Sequence, residues 1–210
     1  CCSVSTVQAH SNDCMQIFVG KPSKTISFYM TPHRIFEIQE DKSSFKMQFY
    51  FSFNYPIEKK LPNQVFFCDG IPQSYSARAE FKKFFNPRFE FMNARRLERL
   101  EDYKLYLADE KNESRVFVET KYEAEFYGNF NFQAFPFDKN RFPVEVMMYY
   151  PKNEVEFNNY EINLNNLSVE AGKWTIGDTD QKLSEETWGE NTYEKVLFSF
   201  QLERNGISMT

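Results

Sequence analysis

The tightest constraint in this sequence is Phe135-Pro136-Phe137-Asp138, set inside the run from Tyr127 to Phe142. Pro136 fixes its own φ and holds Phe135 towards extended geometry. Rings on both sides of a proline are too apolar to stand together in water, so this loop must dock on an apolar surface. Asp138 then leaves that surface as a single carboxylate, which needs a cation or backbone donors if it is even partly buried. Its partner has to come from elsewhere in the chain.

The apolar surface that receives the loop is written in strands. Twenty-four Phe and 12 Tyr stand against only 7 Gly in 210 residues, and aromatic side chains suit a half-buried pleated surface. From Tyr193 to Arg204, Val196, Phe198, Phe200 and Leu202 recur at every second position, with one slip at Leu197. From Phe142 to Tyr150, Val144, Val146 and Met148 share one face and Glu145, Met147 and Tyr149 the other. Lys24 to Gln39 reads as a strand in two pieces around Pro32, followed by a polar turn at Glu40-Asp41-Lys42-Ser43 and a long second strand from Ser44 to Tyr55. Tyr103–Leu107 and Arg115–Tyr127 read as a hairpin, Tyr75–Phe85 as a short helical window, and Gly177–Thr192 as an acidic loop. Over Arg95–Asp102, leucine spacing and alternating charge favour a helix by local propensity. About ten short strands without a repeat predict an all-β fold, a two-sheet antiparallel sandwich, immunoglobulin-like, with a short helix, forming one domain over 24–204.

Composition removes several function classes. A net charge of −5 argues against nucleic acid, because a phosphate backbone calls for a basic face. The two histidines, His10 and His33, with no Gly-x-Ser-x-Gly, His-Glu-x-x-His or glycine-rich phosphate loop, argue against an enzyme, and no cofactor is called for. Cys1, Cys2, Cys14 and Cys68 show neither metal spacing nor a disulfide framework. Asp178 and Asp180 in the acidic stretch are weak calcium candidates without the spacing of a dedicated loop. No run approaches the roughly 20 apolar residues that cross a bilayer as a helix. Residues 1–23 read as an N-terminal extension or the remnant of an export signal. Either Val7-Gln8-Ala9 is a cleavage site or Cys1 is a lipidated first residue.

The aromatic-Pro-aromatic-Asp loop, preceded and followed by strands, resembles the signature loop of the pentameric ligand-gated ion channels, the Cys-loop receptor superfamily. Further segments resemble the same family over nearly all of 24–204. Phe85-Asn86-Pro87, leading to Met92 and Asn93, is similar to the Trp-x-Pro segment before the first binding loop, and it implies an irregular strand after Ala94. Tyr149 falls at the aromatic of the second binding loop. Trp174-Thr-Ile-Gly-Asp178 is similar to the Trp-containing strand before the third, Tyr193 to that loop's aromatic, and Arg204 to the arginine that closes the domain. Tyr50 and Tyr55 resemble the two aromatic positions of the second strand. Gly128 and Phe142 stand where animal members carry the loop's cysteines, so the resemblance is to bacterial-type members without that disulfide.

The resemblance implies an extracellular or periplasmic ligand-sensing domain of a membrane channel, with residues 205–210 leading to a first membrane helix and five copies forming a ring. It places a small ligand, an amine by the aromatic cage, at subunit interfaces, with Tyr149, Tyr193, Trp188, Met92 and Asn93 on one side and Tyr50 on the other. It assigns coupling to the pore to Asp138 paired with Arg204, with Glu40 or Asp41 of the first hairpin turn nearby and Phe135, Pro136 and Phe137 in the loop. A secreted binding protein of the same fold without a pore is the alternative.

Overall fold

The computed structural model describes residues 14–18, 25–56, 64–68, 71–72, 88–101, 104–110, 113–130, 138–169 and 174–204. The helical window at 75–85 and the loop residues Phe135, Pro136 and Phe137 lie outside the described residues. Among the described residues there are fourteen strands and no helix. Two sheets face each other as a β-sandwich, and a small three-stranded sheet of β1 (Cys14–Phe18), β4 (Gln64–Cys68) and β5 (Ile71–Pro72) is hydrogen-bonded separately.

The larger sheet has seven strands. Its path runs from β11 (Glu156–Ile162) through β2 (Thr25–Gln39), β3 (Ser44–Pro56) and β9 (Glu113–Tyr127) to β7 (Ala94–Arg99). Beside this path β12 (Ser168–Val169) pairs with β2, and β8 (Lys104–Glu110) with β9. The second sheet orders β13 (Trp174–Trp188), β14 (Asn191–Arg204), β10 (Lys139–Pro151) and β6 (Phe89–Phe91).

Two local expectations change. Residues 25–39 form one strand rather than two pieces. Parallel pairing with β11 covers Thr25 to Met30 and pairing with β12 covers Arg34 and Ile35, which leaves Pro32 in the gap where its missing N–H costs no ladder bond. Those two pairings are parallel, so the sandwich is not wholly antiparallel. The acidic stretch after Gly177 is strand, not loop, up to Trp188. Apart from Leu183, which packs against the core, and Trp188, its side chains are polar and carry no alternation, but β14 supplies a ladder from Thr179 to Trp188. Gly189, at φ 64°, then opens the two-residue turn. Over 94–99 the chain is the irregular strand that the resemblance implied, with a register shift between Ala94 and Arg96; antiparallel pairing with β9 overrides the helical propensity.

The core is a ring stack between the sheets. Phe28, Phe45, Phe49 and Phe126 from the seven-stranded sheet are fully buried, as are Phe142, Phe198 and Phe200 from the four-stranded one. Phe45 meets Phe142 at 5.0 Å and Phe200 at 6.1 Å, while Phe28 meets Phe198 edge-on at 5.7 Å. Such tilted and edge arrangements match the charge distribution of aromatic faces and rims. The alternation read on β10 and β14 therefore holds through Val144, Val146, Val196 and Leu202, all fully buried.

Candidate functional site

Strands β10 and β14 carry one side-chain cluster at each end. On β10 the interval runs from Asp138, just before the strand, to Tyr149; on β14 it runs from Arg204 back to Tyr193. Eleven residues at about 3.3 Å each separate the clusters by roughly 35 Å.

The first cluster gathers around Asp138, which is 1 % exposed. Arg204 donates from Nε to Asp138 Oδ1 at 2.8 Å, and Asn140 Nδ2 donates to Oδ2 at 2.9 Å. The Arg204 backbone N–H donates to the Asp138 carbonyl as well, at 3.1 Å. A guanidinium has donors left over, and its NH2 donates to Glu40 Oε1 in the turn between β2 and β3. Its flat face lies 4.3 Å above Trp174, the cross-strand neighbour of Arg204. Asp41, in the same turn, is exposed. The structure thus brings Asp138, Arg204 and Glu40 together, and it adds Trp174 and Asn140.

The entry to the loop is closely packed. A Cβ on Gly128 would lie 2.4 Å from the Phe130 ring, so only glycine leaves that ring its place. Phe130 then packs on Phe142 at 4.5 Å.

At the other end, Tyr149, Trp188 and Tyr193 meet on the outward face of the four-stranded sheet. Trp188 lies 5.9 Å from Tyr149 and 5.5 Å from Tyr193, with both ring pairs tilted. Tyr149 and Trp188 remain 37 % and 39 % exposed, high values for large aromatic side chains. Beneath them charges are arranged across the strands. Trp188 Nε1 donates to Glu186 Oε1 at 3.0 Å, while Glu186 Oε2 lies 3.3 Å from Lys195 Nζ and Glu145 Oε2 lies 3.4 Å from it. The Trp188 N–H and the Lys195 ammonium hold the Glu186 carboxyl below the usual carboxylate range. Burial works against the Lys195 ammonium, but Glu186 and Glu145 carry it above the ordinary lysine value. Register places Lys195 opposite Met147, an outward-facing residue that is nonetheless fully buried.

Other expected site residues fall elsewhere. Asn93 is a brace: its Nδ2 donates to the Tyr127 and Pro143 carbonyls at 2.8 and 2.9 Å, and its Oδ1 accepts from Glu145 N at 2.9 Å. Those bonds occupy its amide in joining the ends of β9 and β10. Met92, beside it, donates its backbone N–H to the Glu145 carbonyl. Tyr50 lies on the seven-stranded sheet, under Lys121 at 5.3 Å and 3.4 Å from Glu101 Oε1. Asp178 and Asp180 are exposed along β13, and no group of three His, Cys, Asp or Glu side chains suited to a metal occurs among the described residues.

No protein-family model matches the chain, and no curated protein matches it.

The sequence reading did not bring Lys195, Glu145 and Glu186 together, because nothing in the chain says which charges stand side by side until β10, β13 and β14 are in register.

Proposed function

We propose that this chain is the extracellular or periplasmic ligand-sensing domain of a pentameric ligand-gated ion channel, taking a small amine at the Tyr149–Trp188–Tyr193 rings and passing its binding to a pore through Asp138, Arg204 and Glu40. One observation carries the reading: two clusters of different chemistry share strands β10 and β14 and stand roughly 35 Å apart along them. The rings of Tyr149 and Trp188, exposed, and of Tyr193, half-buried, attract a cation through their faces, each contributing about 0.5 to 2 kcal/mol as water leaves. At the far end, a buried carboxylate fastened to the closing arginine ties the last strand to the β2–β3 turn. A shift of β14 on ligand binding therefore reaches that turn through one guanidinium. Tyr50, on the opposite sheet, is the side chain a neighbouring copy presents to the rings in a ring-shaped assembly.

Calorimetric titration of a panel of amines tests the ligand half, against the parent chain and against Tyr149→Ala and Tyr193→Ala separately. The expected result is a saturable amine whose affinity falls in both variants. Equal affinity for parent and both variants would sink the ring site. The reading of the gene downstream of Thr210 tests the channel half, where apolar segments long enough to cross a bilayer are expected.

A further inference from the structure

We infer that Lys195 is a built-in occupant of the amine site: its ammonium holds the charge that a bound amine would otherwise take, so that a ligand has to displace it from Glu186 to bind fully. This rests on the ring site proposed above and names what regulates it.

The geometry sets Lys195 between two acids on two different strands, Glu145 on β10 and Glu186 on β13, at 3.4 and 3.3 Å. Glu186 is the member that touches the rings, because its other oxygen accepts the Trp188 indole N–H at 3.0 Å. Glu90, exposed on β6 and paired in register with Met147, lies on the same face. Glu186, Glu145 and Glu90 therefore share this outward face with Lys195, and Arg88, whose carbonyl accepts the Tyr149 N–H, lines the same cleft as Glu90 and Tyr149. An amine resting on the ring faces reaches Glu186 Oε2 only by competing with Lys195. Lys195 keeps Glu145 after such a displacement, so its charge does not become stranded.

Competition for a carboxylate depends on N–H donors, whereas attraction to ring faces does not. Phenethylamine and its N,N,N-trimethyl derivative share an aryl tail and a positive charge but differ in donors. Both are titrated calorimetrically into the parent chain, Lys195→Met and Lys195→Arg. With Lys195 removed, phenethylamine is expected to bind about tenfold tighter, the scale of one hydrogen bond to a charged group. The trimethyl compound should change much less, and Lys195→Arg should behave as the parent. A purely structural role for Lys195 would weaken both ligands together in Lys195→Met. That result, or an unchanged ratio of the two affinities, overturns the inference while leaving the ring site standing. If neither compound binds parent or variant, the ring site fails and the inference with it.

Discussion

Asp138 and Arg204 are bonded twice, side chain to side chain at 2.8 Å and backbone N–H to carbonyl at 3.1 Å, although 66 positions separate them in the chain. The second bond closes the β10–β14 ladder, and the first places a carboxylate inside the fold. Removing the cation alone leaves that carboxylate buried without its charge partner, which typically costs about 3 to 5 kcal/mol. Arg204→Met should therefore lower stability in urea by about 3 kcal/mol, and the double variant Arg204→Met with Asp138→Asn should recover a large part of it. A double variant as unstable as the sum of the two singles would show that the pair is not coupled.

Glu194 gives a pH dependence of definite sign. Its carboxylate, 3 % exposed, accepts the Phe157 N–H of β11 and so ties the two sheets together. Burial pushes it above the ordinary glutamate value, while the Phe157 N–H and Lys152 at 3.7 Å pull the other way and Glu156 and Glu185 add to the rise. A raised folded pKa means that the native state binds more protons than the unfolded chain between the two values. Its contribution is fully present below the unfolded value and is lost as pH rises through the folded one. Glu194→Gln keeps an acceptor for Phe157 and does not titrate. The difference in Tm, variant minus parent, should become more positive from pH 4 to pH 8. A difference that stays flat across that range refutes the assignment.

Asn93 tests brace against ligand contact. Removing its amide leaves the part-buried Pro143 carbonyl and Glu145 N–H without it, along with the exposed Tyr127 carbonyl, and each unsatisfied buried group costs about 1 to 3 kcal/mol. Asn93→Ala should destabilise by about 2 kcal/mol or more, and Asn93→Asp at least as much, since a carboxylate cannot donate to the Tyr127 and Pro143 carbonyls. Denaturant midpoints check this. A variant that is as stable as the parent but has lost amine binding would return Asn93 to the ligand.

Gly128→Ala should be costly for a reason of space alone. The added methyl meets the Phe130 ring at 2.4 and 2.6 Å and the Pro143 ring carbon at 3.1 Å, so Phe130 must leave its place on Phe142. Overpacking of this kind costs about 1 to 3 kcal/mol. A thermal melt of Gly128→Ala within a degree of the parent would show that the loop entry yields freely.

The sequence by itself determined the strands with one apolar face. Val196, Phe198, Phe200 and Leu202 could settle only as a half-buried strand, because period-two alternation places every apolar side chain on one side of the pleat. It also required a cation or backbone donors for Asp138, since a carboxylate among phenylalanines is untenable alone, and the structure supplies Arg204. It read residues 177–188 as loop, because a stretch this acidic with little apolar alternation shows no buried side, and only pairing with β14 makes it a strand. Pro32 likewise looked like a break until two parallel partners were found to leave a gap at its position. Tertiary structure alone decided the surroundings of the rings. Glu145, Glu186 and Lys195 lie on three strands, and cross-strand register, set by the packing of the opposite faces of those strands, makes them neighbours. It also turned Asn93 from a candidate ligand contact into a brace, because a side-chain amide binds whatever carbonyls the fold brings within reach, and no local sequence pattern records which those are.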